Sequence, residues 1–308
     1  MLTAQQLPVY SQYMFNGYLI NPAVAGSEGY TIINLSAREE WLGFPNSPKT
    51  HSLSVQTRLF RKKYSIVHGK GSSSRYRKGR SGRVGLGGYL FSDQNGLTNR
   101  TGGEFAYAYH ISFTNTHLSF GLAATVMQFS MNTSEFRPKQ SETFERITYY
   151  MPDANFGMLL RRFGYYAGIS VAHLLETPLI LGSNVSSYHK TYKTARHYNF
   201  WTGQQFETTN SGLKYEPSLM IRASENLSLQ IDANVKFIVN DMYWAGVSLR
   251  SNKSTILLLG AKKGIVHMAY SFDYTFNSIR KRTFGSHELM VSIKLGDPTR
   301  RYRWMKRY

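Results

Sequence analysis

The sequence predicts an all-β protein, a transmembrane antiparallel β-barrel of about fourteen strands. Three observations predict it: alternation with a period of two residues, an aromatic-rich composition, and alternating short and long connections. The alternation is clearest from Leu227 to Phe237, where the odd positions are apolar and the even positions are polar. It recurs in 103–114 and 265–276. Because successive side chains of a strand point to opposite faces, each segment has one apolar and one polar face.

Turn-forming residues divide the chain into segments of about ten residues, the length with which a barrel strand crosses a membrane. An even number of strands lets both chain ends lie on one side. The predicted strands are 30–44, 50–63, 83–92, 103–114, 117–130, 147–162, 165–175, 195–207, 213–223, 227–239, 242–250, 254–262, 265–276 and 286–296. The predicted parts of the chain are a signal-peptide remnant or artificial start (1–6), a non-strand arm (7–29), the barrel (30–296) and a basic tail (297–308).

The composition favours a membrane barrel over a soluble β-sandwich, which also alternates. Tyr (22) and Phe (18) are abundant, whereas only 18% of the residues are charged. Aromatic side chains near the predicted strand ends suit the belts at membrane interfaces. They are Tyr30, Trp41, Phe44, Tyr165, Tyr243 and Phe276. The longest aliphatic run, Ile256 to Leu259, is far shorter than the roughly 20 residues of a transmembrane helix, so a helical membrane protein is excluded.

The connections between the predicted strands also fit a barrel, in which short periplasmic turns alternate with longer outer loops. The long connections 131–147, 175–195 and 277–286 would lie on one side. Short turns such as 162–164 would lie on the other side, together with one exception, the basic segment 64–82.

The net charge of +19 is concentrated between and after the predicted strands. Nucleic acid or an anionic membrane surface is the ordinary electrostatic partner of such a chain. Because the basic residues lie in turns and ends, we interpret them as groups near acidic lipid headgroups and expect no nucleic-acid partner.

The sequence offers no catalytic or metal-binding motif. The chain contains no cysteine, which excludes disulfides and thiolate chemistry, and it lacks phosphate-loop, zinc-protease and nucleophile-elbow patterns. Ser170 and His173 are three apart in one predicted strand and should face opposite ways, as should His287 and Glu288. We therefore predict no catalytic, cofactor-binding or metal-binding residues, and no enzymatic activity.

The segment from Leu7 to Gly29 differs from the rest because it is aromatic but does not alternate. Such an arm would expose apolar surface unless it packed into the lumen or against a partner. We expect it to plug or line the periplasmic mouth of the barrel. The candidate plug residues are Tyr10, Tyr13, Phe15, Tyr18, Asn21 and Pro22.

The same arm carries a family resemblance. Its residues Tyr10 to Asn16, followed by Asn21-Pro22-Ala23 and Ala25-Gly26, resemble the opening of PorP/SprF proteins of type IX secretion and gliding motility. Later segments agree in order: Gly85 to Gly88, Tyr107 to His110, Pro152 to Gly157, Tyr165 to His173, Tyr270 to Asp273 and Ser286 to Leu289. The chain departs from the pattern after Leu295, where a basic tail follows the last strand.

The resemblance implies a non-enzymatic protein in the outer membrane of a Gram-negative bacterium, exported with a signal peptide. It implies three partners: a secreted cargo with a C-terminal sorting domain, the periplasmic ring or other machinery subunits, and outer-membrane lipid. The long outer loops would hold cargo at the surface, with Phe136, Phe144, Tyr188, Tyr192 and Phe284 as candidate aromatic anchors. A passive fourteen-stranded porin or small-solute transporter is the alternative, and a lipid-acting hydrolase is a third.

Overall fold

A computed structural model describes residues 10–59, 83–113, 115–131, 147–180, 191–208, 212–225, 227–276 and 283–296. Within these ranges fourteen antiparallel strands form a closed barrel, as predicted. They are β1 (Thr31–Glu39), β2 (Lys49–Arg58), β3 (Val84–Asn95), β4 (Thr98–Ser112), β5 (His117–Met131), β6 (Ile147–Arg162), β7 (Tyr165–Ala172), β10 (His197–Gln204), β12 (Leu213–Ser224), β13 (Leu227–Val239), β14 (Tyr243–Arg250), β15 (Ser254–Lys263), β16 (Val266–Thr275) and β17 (Ser286–Leu295).

The barrel closes by pairing its first and last strands, from Thr31 opposite Leu295 to Glu39 opposite His287. Three short strands lie outside the closed ring of fourteen: β8 (Pro178–Ile180) and β9 (Thr191–Lys193), which pair with each other, and β11 (Phe206–Glu207), which pairs with β12. β8 and β9 lie within the predicted long connection 175–195, and β11 lies within the predicted strand 195–207. Among the described residues, no helix is long and apolar enough to span a membrane.

The side chains of β13 show how the period of two sorts the residues between the two faces. Leu229 and Phe237 are 57% and 49% exposed on the outer surface, while Asp232 and Asn234 are 1% and 3% exposed inside. Large apolar side chains on the outside and polar ones on the inside are the reverse of a soluble protein. The arrangement is that of a barrel whose outer surface faces lipid.

Several predicted strands end earlier than the sequence suggested, and for β1 and β7 the backbone shows why. β1 ends at Glu39 rather than at 44, because Trp41 and Gly43 take positive φ angles of 52° and 92° and turn the chain. β7 ends at Ala172, because His173 has a φ of 59°. Trp41 and His173 are not glycines, so their positive φ left no signal in the sequence.

The two ends of the barrel follow from the strand order. β1 begins and β17 finishes at the same end, which also carries the turns 163–164, 240–242 and 264–265. By the usual orientation of such barrels we call it the periplasmic end. The opposite, outer end carries the connections 40–48, 132–146, 173–196 and 276–285. The three predicted long loops therefore leave the barrel on one side.

Candidate functional site: a plugged lumen and its outer vestibule

The described part of the arm, residues 10–29, lies inside the barrel. Its aromatic side chains find the burial that the sequence demanded, since Tyr10, Tyr13 and Tyr18 are 4%, 2% and 1% exposed. Two short 3-10 turns, Gly17–Leu19 and Pro22–Val24, fold it compactly. It extends further than the predicted periplasmic mouth, because Tyr10 also lines a cavity at the outer end.

One wall of the lumen is shaped for the arm by small residues. On this wall, a Cβ atom built on Gly85, Gly121 or Gly157 would lie 2.0, 2.2 or 2.0 Å from the Ala25 carbonyl oxygen, the Ala23 nitrogen or Asn21 Oδ1. A Cβ on Gly87 would lie 2.6 Å from the Tyr18 ring. These four glycines of β3, β5 and β6 form a groove for the arm: a Cβ on Gly85 or Gly121 would overlap the arm's backbone, and one on Gly87 or Gly157 would displace the Tyr18 ring or the Asn21 amide. We call it the glycine groove.

Asn21 fastens the arm between two strands beside this groove. Its Nδ2 donates to the carbonyl oxygens of Met158 and Ile169, each at 2.9 Å, and its Oδ1 accepts from the Ala23 N–H at 2.7 Å. The last contact caps the turn that Pro22 begins. The amide of Asn21 therefore fixes both the arm's own fold and its position on the wall.

The opposite wall carries a row of alternating charges, which we call the charge ladder. Its members, in order, are Glu288, Arg38, Asp273, Arg250, Asp232 and Arg222. Consecutive members lie within ion-pair distance, for example Arg38 to Glu288 at 3.1 Å and Arg250 to Asp273 at 3.0 Å. All but Arg222 have side chains at most 4% exposed. Removing one member would leave a buried charge uncompensated, which typically costs about 3–5 kcal/mol.

The charge ladder also holds the start of the arm. The Ser11 N–H donates to Glu288 Oε2 at 2.9 Å, and Arg38 donates to the Ser11 hydroxyl at 2.7 Å. Arg222 donates to the Tyr10 carbonyl at 3.0 Å, and its guanidinium lies 5.7 Å from the centre of the Tyr13 ring. The arm is thus tied by charge-assisted hydrogen bonds on one side and by close packing on the other.

Towards the periplasmic end the arm makes two further contacts. The Phe15 ring stacks on Trp244, with centroids 5.3 Å apart. Glu28 accepts a hydrogen bond from Lys294 Nζ at 2.6 Å. Burial would raise the pKa of the Glu28 carboxyl, but the Lys294 ammonium and the Arg161 guanidinium lower it to about 2. Glu28 therefore stays ionised and paired where the arm joins β1.

Above the arm lies a cavity of about 690 Å³, which we call the vestibule. Its walls come from the outer ends of the strands, with Asn95, His173, His197 and Asn252 among the lining residues. Its floor is the arm itself: Tyr10, Tyr18, Leu19, Ile20, Asn21 and Pro22. This volume is typical of a ligand-binding pocket, and the mixture of aromatic rings, amides and charges offers many polar partners.

The candidate cargo anchors are not brought together by the described structure. Phe136, Phe144 and Tyr188 lie outside the described residues, and of Tyr192 only its place in β9 is described. Phe284 is at the outer rim, 76% exposed, with its N–H donating to the Leu42 carbonyl at 2.8 Å. The candidate plug residues, by contrast, all lie in the arm within the lumen.

The structure changes one expectation about the residues weighed for hydrolysis. Ser170 and His173 do not face opposite ways, because the turn at His173 leaves both side chains buried, at 3% and 8% exposed. His173 Nδ1 lies 2.9 Å from Asp153 Oδ2, but the Ser170 hydroxyl donates to the Ile20 carbonyl. The serine is thus used to hold the arm. Across the described ranges, no three His, Cys, Asp or Glu side chains are grouped to hold a metal ion.

Sequence reasoning missed the glycine groove, the charge ladder and the vestibule. A signal for the ladder existed, because its acidic and basic residues occupy lumen-facing positions of six separate strands. Their contacts depend on the register between strands, which the alternation alone does not supply.

Comparison with known proteins adds a family and several structural likenesses. The model of the family described as type IX secretion system membrane protein PorP/SprF matches residues 2–293. No curated protein matches the chain. Similar solved structures include Acinetobacter baumannii Omp33 (TM-score 0.46, 6% identity, 87% of this chain and 100% of that one). The Ralstonia pickettii toluene transporter TbuX has a TM-score of 0.48 and 9% identity, over 90% of this chain and 91% of that one. Haemophilus ducreyi BamA lacking POTRA domains 1–3 has a TM-score of 0.43 and 9% identity, over 87% of this chain and 70% of that one.

The family match spans the arm and the whole barrel, and the apolar outer face of the barrel places the protein in the outer membrane. The chain belongs to the PorP/SprF family of type IX secretion system membrane proteins.

Proposed function

We propose that this protein is a non-enzymatic outer-membrane component that binds exported cargo carrying a C-terminal sorting domain and helps to export it or anchor it at the cell surface. The observation that carries the proposal is the position of the arm. It floors the vestibule, so that a pocket lies at the outer end while the lumen beneath it is filled. A barrel built in this way would bind cargo at its outer end rather than conduct solutes through its lumen.

The packing of the arm disfavours the porin alternative. A passive pore needs a continuous polar channel, whereas here the arm's aromatic rings pack against lumen residues such as Ala106, Ala108 and Leu159, which are at most 2% exposed. The contacts of the arm with both walls would all have to break before a solute could pass.

The absence of enzymatic activity is part of the same proposal. The strongest pair of groups for hydrolysis, Asp153 and His173, lacks a serine nucleophile, since Ser170 hydrogen-bonds the arm. The polar groups of the lumen are occupied in holding the arm, which supports a binding role.

The periplasmic end supports a contact with the secretion machinery. Several basic residues lie there at strand ends, including Arg58, Arg83, Arg162 and Lys263. We propose that this end, with the basic segment 64–82 and the tail 300–308, faces an acidic surface of the periplasmic ring.

Replacement of the outer loops tests the cargo-binding role. Exchanging 175–195 for a short Gly/Ser linker should leave a folded barrel but release cargo into the medium, measured by immunoblotting cells and supernatant. The matched control places the same linker at the periplasmic connection 205–212, which should retain cargo. If cargo stayed surface-bound after 131–147, 175–195 and 277–286 were exchanged singly and together, the proposal would be wrong.

A further inference from the structure

Glu104 is unusual among the carboxylates that point into the lumen. Its partners are neutral: Asn155 Nδ2 donates to it at 2.5 Å and the Thr125 hydroxyl at 3.5 Å. Within the described part of the chain, no lysine or arginine forms an ion pair with it, although acids such as Asp232, Glu216 and Glu288 each have one. Glu104 lines the vestibule, so a carboxyl group without an ion-pair partner lies at its wall.

Arg222 offers the complementary feature elsewhere on the vestibule wall. Its Nη2 donates to the Tyr10 carbonyl, but its Nη1 is buried without a hydrogen-bond partner and lies 3.8 Å from Asp232. Asp232 is held more closely by Arg250, at 3.0 Å. The Nη1 group of Arg222 can therefore donate a hydrogen bond to one more anionic partner.

The two groups stand apart across the lumen. Glu104 lies on β4 and Arg222 on β12, and four barrel strands separate them by the shorter route. Between them the lining is rich in amides and aromatic rings, including Asn155, Asn199 and Tyr10. Amides and tyrosines adapt well to a peptide backbone, and their mixture is typical of surfaces that bind protein.

We propose that the vestibule binds an extended peptide that carries a lysine or arginine side chain and a carboxylate, the cation on Glu104 and the carboxylate on Arg222. The inference rests on the proposed function and names the chemistry of the cargo segment that the vestibule takes. Both residues line the vestibule, whose floor is the arm in its present position.

Binding of synthetic peptides to the purified full-length barrel in detergent micelles tests the inference. The probe is a fluorescently labelled peptide of serine, glycine and valine that ends in lysine with a free carboxylate. At mildly alkaline pH, replacing its lysine by norleucine or its carboxylate by an amide should each weaken binding roughly tenfold or more, measured by anisotropy. These changes lie in the ligand and leave the protein fold untouched.

Variants of the protein then assign each contact. Glu104→Gln should weaken binding of the lysine peptide but not of the norleucine peptide. Arg222→Gln should weaken binding of the peptide with a free carboxylate but not of the peptide that ends in an amide. Glu207→Gln, a carboxylate at the periplasmic end, is the matched control and should change neither. Folding of each variant is checked by its heat-dependent mobility in gels.

Three results would overturn the inference. The first is that the native protein binds all the peptides equally, and the second is that free lysine at the concentration of the labelled peptide displaces it. The third is that the vestibule binds a neutral oligosaccharide and none of the peptides. These outcomes are separable from failure of the proposed function. If the peptides do not bind but loop replacement still releases cargo, cargo binding stands and only the vestibule site is wrong.

Discussion

At the scale of the residue, the lumen shows how one position in two can be reserved for contact with the arm. The glycines of the groove alternate with residues that face lipid, so Gly87 meets Tyr18 while its neighbour Gly88 has no atom within 4 Å of its built Cβ. The same residue type is therefore required at one position and replaceable at the next. The amino-acid sequence alone does not show which of the two glycines contacts the arm.

Substituting Gly121→Ala tests the close fit. Its new Cβ would lie 2.2 Å from the Ala23 nitrogen, an overlap with backbone that must push the arm from the groove. Overpacking of this kind typically costs about 1–3 kcal/mol. We expect raised ion conductance in a planar bilayer. Gly88→Ala is the control and should behave like the native protein; conductance equal in both variants would show that the groove does not position the arm.

Substituting Val235→Arg tests the orientation towards lipid. Val235 is 40% exposed on the outer face, and an arginine near the bilayer midplane destabilises such barrels by about 2–4 kcal/mol. The free energy of unfolding in lipid vesicles, measured with urea, should fall by this amount. Gln230→Arg places the same side chain on the same strand but towards the vestibule, and should be much milder. Equal losses would contradict the orientation.

At the scale of the element, the strands could be predicted from the sequence and the arm's fold could not. A period of two needs only local residues, and all fourteen predicted strands correspond to strands of the barrel. The arm instead takes its shape from β1, β3, β5, β6, β12 and β17, whose contacting residues are distant in sequence, as Ser11 and Glu288 are. The sequence indicated that its aromatics need burial, but not which groups would bury them.

Deleting 8–26 tests whether this element closes the lumen. Because the arm's rings fill the space between the glycine groove and the charge ladder, a folded deletion variant should show a clear rise in single-channel conductance. Heat-dependent gel mobility establishes that the barrel has assembled. A correctly folded deletion variant that remains silent would show that other parts of the chain close the pore.

At the scale of the whole molecule, the two walls of the lumen contact the same arm by different interactions. The glycine groove packs closely against the arm, and the charge ladder hydrogen-bonds its backbone at Ser11 and Tyr10. The vestibule therefore exists only because the arm stays in place to floor it. If the vestibule binds cargo as proposed, the arm that closes the lumen also forms part of the binding site.

A covalent lock on the arm separates a static plug from a moving gate. The chain has no cysteine, so Asn16→Cys with Ser54→Cys introduces one possible intramolecular disulfide, at side chains now hydrogen-bonded at 3.1 Å. If cargo is held from outside above a fixed floor, oxidised cells should retain surface cargo at the native level, and the purified barrel should stay non-conducting. The single variant Asn16→Cys controls for the substitution itself. Loss of cargo on oxidation, restored by a reductant, would show instead that the arm must leave the lumen, and that the barrel passes its cargo rather than anchoring it.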